Sequence, residues 1–292
     1  MAGYDTQELK SGGVIKQRQP DAFTVRLRLP GGRLAADCLP TLARVAERWG
    51  GGFLHLSVRQ TVEIPHVQHA NLPEVLTTLA AVGLTPSSCG PRVRVPVACS
   101  GCELNPNGLV DTQGLAREID RRFFGQPTPH KFKVNLAGCP IDCPGARQAD
   151  LGFLGVSEPV LAPERCTGCG LCVDACDDGA WDDTSEALRW DALRCVRCGE
   201  CLRVCPLEAL EEARRGLEVW AGGKGGKHPR PAAPVARWVR EEDVCRVVER
   251  ALAWYREHAR GRERLGTVLE REGTASFRSE VFAGLSGVEL LP

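Results

Sequence analysis

Fifteen cysteines in a chain of 292 residues are the side chains whose spacing could do chemistry. Eight of them fall into two runs, Cys166-x2-Cys169-x2-Cys172-x3-Cys176 and Cys195-x2-Cys198-x2-Cys201-x3-Cys205, the second followed by Pro206. A Cys-x2-Cys-x2-Cys loop wraps three corners of an iron–sulfur cube, and the fourth corner is taken by the last cysteine of the other run. The spacing therefore predicts one [4Fe–4S] cluster on Cys166, Cys169, Cys172 and Cys205, and another on Cys195, Cys198, Cys201 and Cys176. Zinc also accepts Cys-x2-Cys pairs, but this phase matches two cubes. Asp177 replaces the usual proline after Cys176 and removes no ligand. Such a module moves electrons without choosing a substrate.

A second set of cysteines lies at the ends of basic strands. In Lys131–Leu136, Phe132, Val134 and Leu136 alternate with Lys131, Lys133 and Asn135, and the run continues into Cys139-x3-Cys143. A strand has a side-chain period of two, so the apolar trio packs on one face and both ammonium groups leave the other. Pro91–Ala98 repeats the habit, with Val93, Val95 and Val97 against Arg92 and Arg94, and leads into Cys99-x2-Cys102. Ala22–Leu29 sets Val25, Leu27 and Leu29 against Arg26 and Arg28. One such strand reads as a solvated sheet edge. Their repetition upstream of thiols argues for fixed cations beside thiolates, which suits an anion held next to a metal centre.

The elements that must position these residues follow from periodicity. Residues 1–20 read as a polar lead-in. Leu34–Trp49 has helical spacing and ends at Gly50-Gly51-Gly52. Leu54–Ile64 reads as one long strand, with His55, Arg59 and Glu63 on its polar face. Asn71 is expected to cap the next helix with Glu74 as its capping-box partner. Strand–helix–strand–helix order suggests a small α+β layer. Asp111–Phe124 and Glu241–Arg260 read as helices, the latter with a stripe of Val244, Val247, Val248, Ala251, Leu252 and Tyr255. Cys38, Cys89 and Cys245 have no partner at metal spacing and read as structural. The run Gly222-Gly223-Lys224 … Lys227-His228-Pro229-Arg230 reads either as a flexible linker or as backbone and cations meeting carboxylates. Composition favours the linker.

Lysine plus arginine and aspartate plus glutamate are both 37, so no global charge argues for nucleic acid or a membrane surface. No apolar run reaches membrane-spanning length and the first residues lack a signal-peptide core. The chain is expected to be cytoplasmic, where thiols stay reduced and serve metals more than disulfides.

With these motifs assembled, the sequence resembles the siroheme-dependent sulfite and nitrite reductase family, most of all the anaerobic sulfite reductase C subunit and small dissimilatory-type relatives. Arg26-Leu27-Arg28-Leu29-Pro30-Gly31-Gly32 resembles the family's first active-site strand, and Val58-Arg59-Gln60-Thr61 its Arg-Gln-Thr/Asn segment. Arg94, five residues before Cys99, resembles the second anion arginine, Lys131-Phe132-Lys133 the lysine pair, and Cys139-x3-Cys143 the second cluster pair. The Gly222–Arg230 run resembles a late segment near the tetrapyrrole, which reverses the linker preference. The resemblance implies an α+β fold: a ferredoxin-like half-domain (1–83), a siroheme/[4Fe–4S]-binding α/β domain in two parts (84–160 and 213–292), and an inserted bacterial 2[4Fe–4S] ferredoxin domain (161–212). It implies siroheme bridged through Cys143 to a third cluster on Cys99, Cys102, Cys139 and Cys143. It assigns Arg26, Arg59, Gly222, Gly223, Lys224, Lys227 and Arg230 to the siroheme, and Arg28, Arg94, Lys131 and Lys133 to the anion. The implied reaction is the six-electron reduction of sulfite to sulfide, with nitrite reduction to ammonia as the alternative.

Two features depart from the family. The first cluster pair is usually Cys-x5-Cys; here Asn105 stands at the sixth position and Cys102 supplies a Cys-x2-Cys instead. A degenerate site, or a chain that only transfers electrons, is the competing reading. The chain also carries one half-domain where larger members carry two. A second copy is expected from another subunit of a homo-oligomer or heteromer. With no GxGxxG motif opening a helix, nicotinamide or flavin chemistry is expected on an electron-donor protein, a flavoprotein or ferredoxin subunit.

Overall fold

The computed structural model describes residues 4–184 and 187–292. The N-terminal layer comprises α1 (Thr6–Ser11), β1 (Val14–Lys16), β2 (Ala22–Arg26), α2 (Leu39–Trp49), β3 (His55–Ser57), β4 (Thr61–Gln68) and α3 (Leu72–Ala80). Its four strands are antiparallel in the order β1-β2-β4-β3. Leu42 and Val45 of α2, Val75 and Leu79 of α3, and Phe23, Val25 and Ile64 of the sheet form its core. The lead-in is more ordered than its composition suggests: the Asp5 carboxylate accepts from the Gln7 and Glu8 amides and caps α1.

Two local expectations fail. Leu54–Ile64 is a hairpin, not one strand. Gln60 adopts φ +56° and its amide donates to the Ser57 carbonyl at 3.1 Å, closing a turn that leaves Val58 fully exposed. Alternation persists on both sides of such a turn, so a period of two does not reveal the reversal. Asn71 makes no side-chain cap. Residues 69–71 form a 3-10 turn running straight into α3, and Glu74 pairs instead with Arg48 at 3.3 Å.

The second layer is a six-stranded sheet in the order β12-β11-β10-β7-β6-β5. In chain order its elements are β5 (Val97–Ala98), α4 (Gly101–Leu104), α5 (Thr112–Phe123), β6 (Val134–Ala137) and β7 (Leu151–Leu161); then α6 (Leu171–Asp174), β8 (Trp181–Asp182), β9 (Arg189–Trp190) and α7 (Glu200–Val204) outside the sheet; then β10 (Leu210–Ala221), β11 (Ala233–Val239), α8 (Val244–His258), α9 (Leu265–Glu272), α10 (Thr274–Val281) and β12 (Glu289–Leu290). β5, β6 and β7 run parallel and the other pairings are antiparallel. The core joins Ile119 and Phe123 of α5, Phe132, Val134 and Leu136 of the lysine strand, and Val248, Leu252 and Tyr255 of α8. Ladder hydrogen bonds continue before β5 and β6: the Arg94 amide donates to the Phe132 carbonyl at 2.8 Å, and the Phe132 amide to Arg92 at 3.1 Å. The two basic segments therefore lie side by side.

β7 and β10 pair from Leu151↔Ala221 to Leu161↔Leu210. Residues 162–209 thus leave one hairpin and return to it at directly paired positions. This excursion has its own small core of Cys172, Trp181, Cys201 and Leu210.

Candidate active site

The basic residues gather around one end of the parallel strands. Arg94 is buried; its Nη1 donates to the Ser88 carbonyl at 2.8 Å and its Nη2 to Gly90 at 3.0 Å, while its Nε is buried without a partner. An orphaned buried donor is rare in a finished fold and fits a site that takes an acceptor. Lys131 and Lys133 flank Phe132, and Arg59 reaches in from the β3–β4 turn. Burial, then Arg59, pushes the Lys133 ammonium down to about 8. Burial, then Arg94 and Arg26, pushes Arg59 down to about 10. Crowded like charges resist one another, and an incoming anion relieves them.

Two expected anion or cofactor residues have other partners. Arg28 donates to the Asp120 carboxylate at 2.8 Å and lies 4.0 Å over the Phe124 ring, facing α5. Arg26 pairs with Glu63 at 2.6 Å and donates to the Cys89 sulfur at 3.3 Å. Buried Cys38 and Cys245 sit in the cores, as their spacing suggested, and buried Cys89 touches the cationic cluster instead.

The Gly222–Arg230 run is an ordered turn between β10 and β11, since Lys224 and Arg230 exchange both backbone hydrogen bonds at 2.9 and 2.8 Å. Gly222 has φ +90°, and a Cβ on Gly223 would lie 2.5 Å from the Ala149 carbonyl, so neither position admits a side chain. Arg230 pairs with Glu270, keeps a buried unpartnered Nε, and lies near Arg264; Lys224 is half-buried and Lys227 exposed.

Cysteines occupy the other end of the same strands. The Gly138 amide donates to the Cys99 sulfur at 3.0 Å. Burial pushes the Cys139 thiol up, with Cys99, Cys143 and Cys198 adding to it. The loop carrying Cys143 is held from two sides. Asp142, at φ +59°, accepts from the Ala146 and Arg147 amides at 2.5 and 3.0 Å. The Asn135 amide group donates to the Pro144 and Gly145 carbonyls at 2.8 and 3.1 Å. Cys102 is exposed on α4, whose Glu103 pairs with Arg33 at 2.7 Å.

The lysines do not adjoin these thiolates, contrary to the expectation from their closeness in sequence. Cys139 lies six positions beyond Lys133, with the strand Val134–Ala137 between them, a span of up to about 20 Å at roughly 3.3 Å per residue. Their side chains cannot close that gap on one small anion. Cations and thiols of one chain lie at opposite ends of β5 and β6.

The excursion meets the thiol end. A cavity of about 350 Å³ is lined by Cys166, Cys169, Cys172 and Cys205. A second of about 510 Å³ is lined by Cys176, Cys195, Cys198 and Cys201 on one side and by Cys139, Pro140 and Arg147 on the other. These are the two foursomes that the spacing predicts. Backbone amides point at their sulfurs: Ala180 at Cys176 (3.3 Å), Arg197 at Cys195 (3.3 Å) and Ala209 at Cys205 (3.2 Å). Thiolate donors and amide hydrogen bonds are what an iron–sulfur cube requires, so the residues fit it.

Sequence reasoning missed Asp150, Arg264 and the role of Gln60. The Gln60 amide clamps edge strand β5 by pairing with both backbone groups of Ala98 at 2.8 and 2.9 Å. Asp150 and Arg264 pair bidentately beneath Lys133. No local pattern links residues so far apart in sequence.

Similarity to known proteins decides the family. Residues 89–286 match the nitrite and sulphite reductase 4Fe-4S domain, and residues 15–82 match the nitrite/sulfite reductase ferredoxin-like half domain. The chain belongs to the nitrite and sulphite reductase family. It is 30% identical to the C subunit of anaerobic sulfite reductase from Salmonella typhimurium, over 92% of this chain and 85% of that one. It is 32% identical to the coenzyme F420-dependent sulfite reductase of Methanocaldococcus jannaschii, over 92% of this chain but only 44% of that longer protein. The crystal structure of dissimilatory sulfite reductase I shares the fold, with a TM-score of 0.73 over 89% of this chain and 68% of that one at 22% identity. The family match bears out the resemblance read from the basic strands and cysteine pairs. Among the described residues, no helix is long and apolar enough to cross a membrane.

Proposed function

We propose that this chain is a siroheme- and iron–sulfur-dependent reductase of small oxyanions, sulfite foremost, working in the cytoplasm. The observation that carries the reading is the second cavity, where the cysteines of the excursion face the Cys139 loop. Three [4Fe–4S] clusters would then lie in series: Cys166, Cys169, Cys172 and Cys205; Cys195, Cys198, Cys201 and Cys176; and Cys99, Cys102, Cys139 and Cys143. In this reading residues 161–212 are the two-cluster ferredoxin module, receiving electrons from a donor protein. Siroheme, held through Cys143, would supply the iron centre at which sulfur is reduced.

The chain's own residues bind, orient and protonate. Arg59, Gly222, Gly223, Lys224, Lys227 and Arg230 would meet the tetrapyrrole's carboxylates, with Arg26 behind them. Arg94, Lys131 and Lys133 would hold the oxyanion, offset its charge and donate protons as S–O bonds break. Because cations and thiols of one chain lie at opposite ends of β5 and β6, a complete site needs a second subunit. Two copies related by a two-fold axis would each set their cations over the other's thiols, because a two-fold contact is reciprocal.

The test is anaerobic purification from a host that makes siroheme. Acid-acetone extraction should release an iron tetrahydroporphyrin, and iron and sulfide analysis should give three clusters per chain. Reduced methyl viologen should support sulfite reduction. A protein with two clusters and no pigment would be an electron-transfer subunit instead. Nitrite is the second substrate reading, favoured by the shared family match, and the same assay on both anions separates them.

A further inference from the structure

The cationic end contains one carboxylate with no access to solvent. Asp150 is fully buried. Its Oδ2 accepts from the Lys133 amide at 3.0 Å. Arg264, the residue before α9, donates Nε and Nη2 to Oδ1 at 2.9 and 2.7 Å, and Nη2 to Oδ2 at 2.8 Å. The Asp150 carbonyl accepts from the Gly222 amide at 2.9 Å, and the Leu151 amide donates to the Lys133 carbonyl at 3.1 Å. Asp150 thus fastens three distant segments at one point: the lysine strand, the glycine turn and the start of α9. We infer that Asp150 is a positioning residue that fixes Lys133 in the anion site and keeps its ammonium charged.

Charge matters here as well as geometry. The charged groups that bear on Lys133 are Arg59 from the β3–β4 turn, Asp150 from the residue before β7, Arg264 from the start of α9, and Lys131 on its own strand. Three of these four are cations that favour loss of the Lys133 proton. Asp150 is the only one of the four that opposes them, and burial takes the rest of its ionisable surface from water. An opposite charge within about 4–6 Å favours a charged form by about one to three pH units. An ammonium balanced near neutrality is also the best placed to give up a proton during turnover. Burial pushes the Asp150 carboxyl up, and the Arg264 guanidinium and the Lys133 amide that donate to it work against that, so Asp150 and Arg264 act as a unit. Replacing Asp150 by Asn would remove the charge and turn one of its two acceptor oxygens into an N–H₂ that faces donors.

This inference rests on Lys133 serving the proposed anion site, but its primary readout does not need turnover. In the purified full-length chain, competitive trace acetylation followed by mass spectrometry titrates each lysine separately, with Lys10 on α1 as an exposed internal control. Asp150→Asn should move the Lys133 midpoint down by about one pH unit. Arg264→Gln strips the buried carboxylate of its counter-ion, so Asp150 takes up a proton and the Lys133 midpoint should move down too, by less because a repelling cation leaves with it. Downward shifts in both variants with an unmoved Lys10 support the assignment. An upward shift or none in either variant overturns it; if Asp150→Asn fails to fold, the sign of the Arg264→Gln shift alone decides. In the loaded enzyme the alkaline limb of sulfite reduction should follow the same shifts. The same labelling shifts in a protein lacking siroheme would uphold the positioning role and reject the proposed reaction.

Discussion

The two ends of β5 and β6 are built from similar material, short alternating strands with buried valines and phenylalanine, yet they are opposites. At one end the side chains are long cations gathered over a buried carboxylate, and their ammonium and guanidinium groups are held against mutual repulsion. At the other end the side chains are short thiols, and the precision comes from backbone: amide-to-sulfur contacts, a left-handed Asp142 and the Asn135 clamp. Long charged side chains need a packed support, whereas thiols that bind a rigid cube need a shaped loop. One strand can provide both only by keeping them apart, and in the proposed reading each chain is then half of two sites.

The largest expected effect is at the thiol end. Cys139→Ser and Cys143→Ser should each lose the third cluster and the siroheme together, leaving two clusters and no sulfite reduction, as read by iron content and the visible spectrum. Cys102→Ser tests the fourth corner there: its loss should halt turnover and change the third cluster's paramagnetic signal, whereas an intact signal would give that corner to another ligand.

At the cationic end, Lys131→Ala and Lys133→Ala should keep the pigment and every cluster yet lower the rate about 10²–10³-fold, the usual cost of removing one oriented donor. Mixing the two kinds of variant tests the partition directly. A co-expressed pair of Lys131→Ala/Lys133→Ala and Cys143→Ser chains should recover part of the wild-type rate, because one of its two composite sites is whole. No recovery, with a hybrid oligomer demonstrated by dual tags, would put both ends in service of a single chain's site.

The pH profile gives a smaller effect. Lys133, pushed down to about 8 by burial and Arg59, is charged below that pH and neutral above it. Sulfite affinity should therefore hold below about pH 8 and decline above it, and Lys133→Arg should extend the plateau upward. Smallest of all, Asn135→Ala should remove the two bonds that hold the Cys143 loop, at about 1 kcal/mol each. It should lower the thermal midpoint by a few degrees and leave the excursion's clusters untouched.

Much of this is legible in the sequence because its signals are local. The cysteine runs carry two foursomes in their spacing, and each foursome lines its own cavity. The alternation around Phe132 places its buried face correctly. The separation of lysines from thiols is also within reach of the sequence, since six residues of strand have a known length, but adjacency along the chain suggests an adjacency in space that an extended strand denies. The Leu54–Ile64 hairpin is hidden because a single positive-φ glutamine, not a glycine or proline, makes its turn. Asp150 and Arg264 are invisible for a different reason: their partnership depends on the glycine turn and α9 being folded against the lysine strand.

The hairpin between β7 and β10 has a consequence for how the molecule is made. Leu161 and Leu210 are direct partners, but the chain between them is a whole excursion and not a tight turn. The longest ladder of the sheet therefore cannot zip up from a local nucleus, and its closure bears the entropy of a long loop. The excursion's own core is a handful of residues, two of them cysteines, too small to be rigid without metal. In the proposed reading, iron supply would then bear on folding yield: in iron-starved cells the central strands would wait, unpaired and prone to aggregate, for a cofactor that lies outside the sheet they belong to.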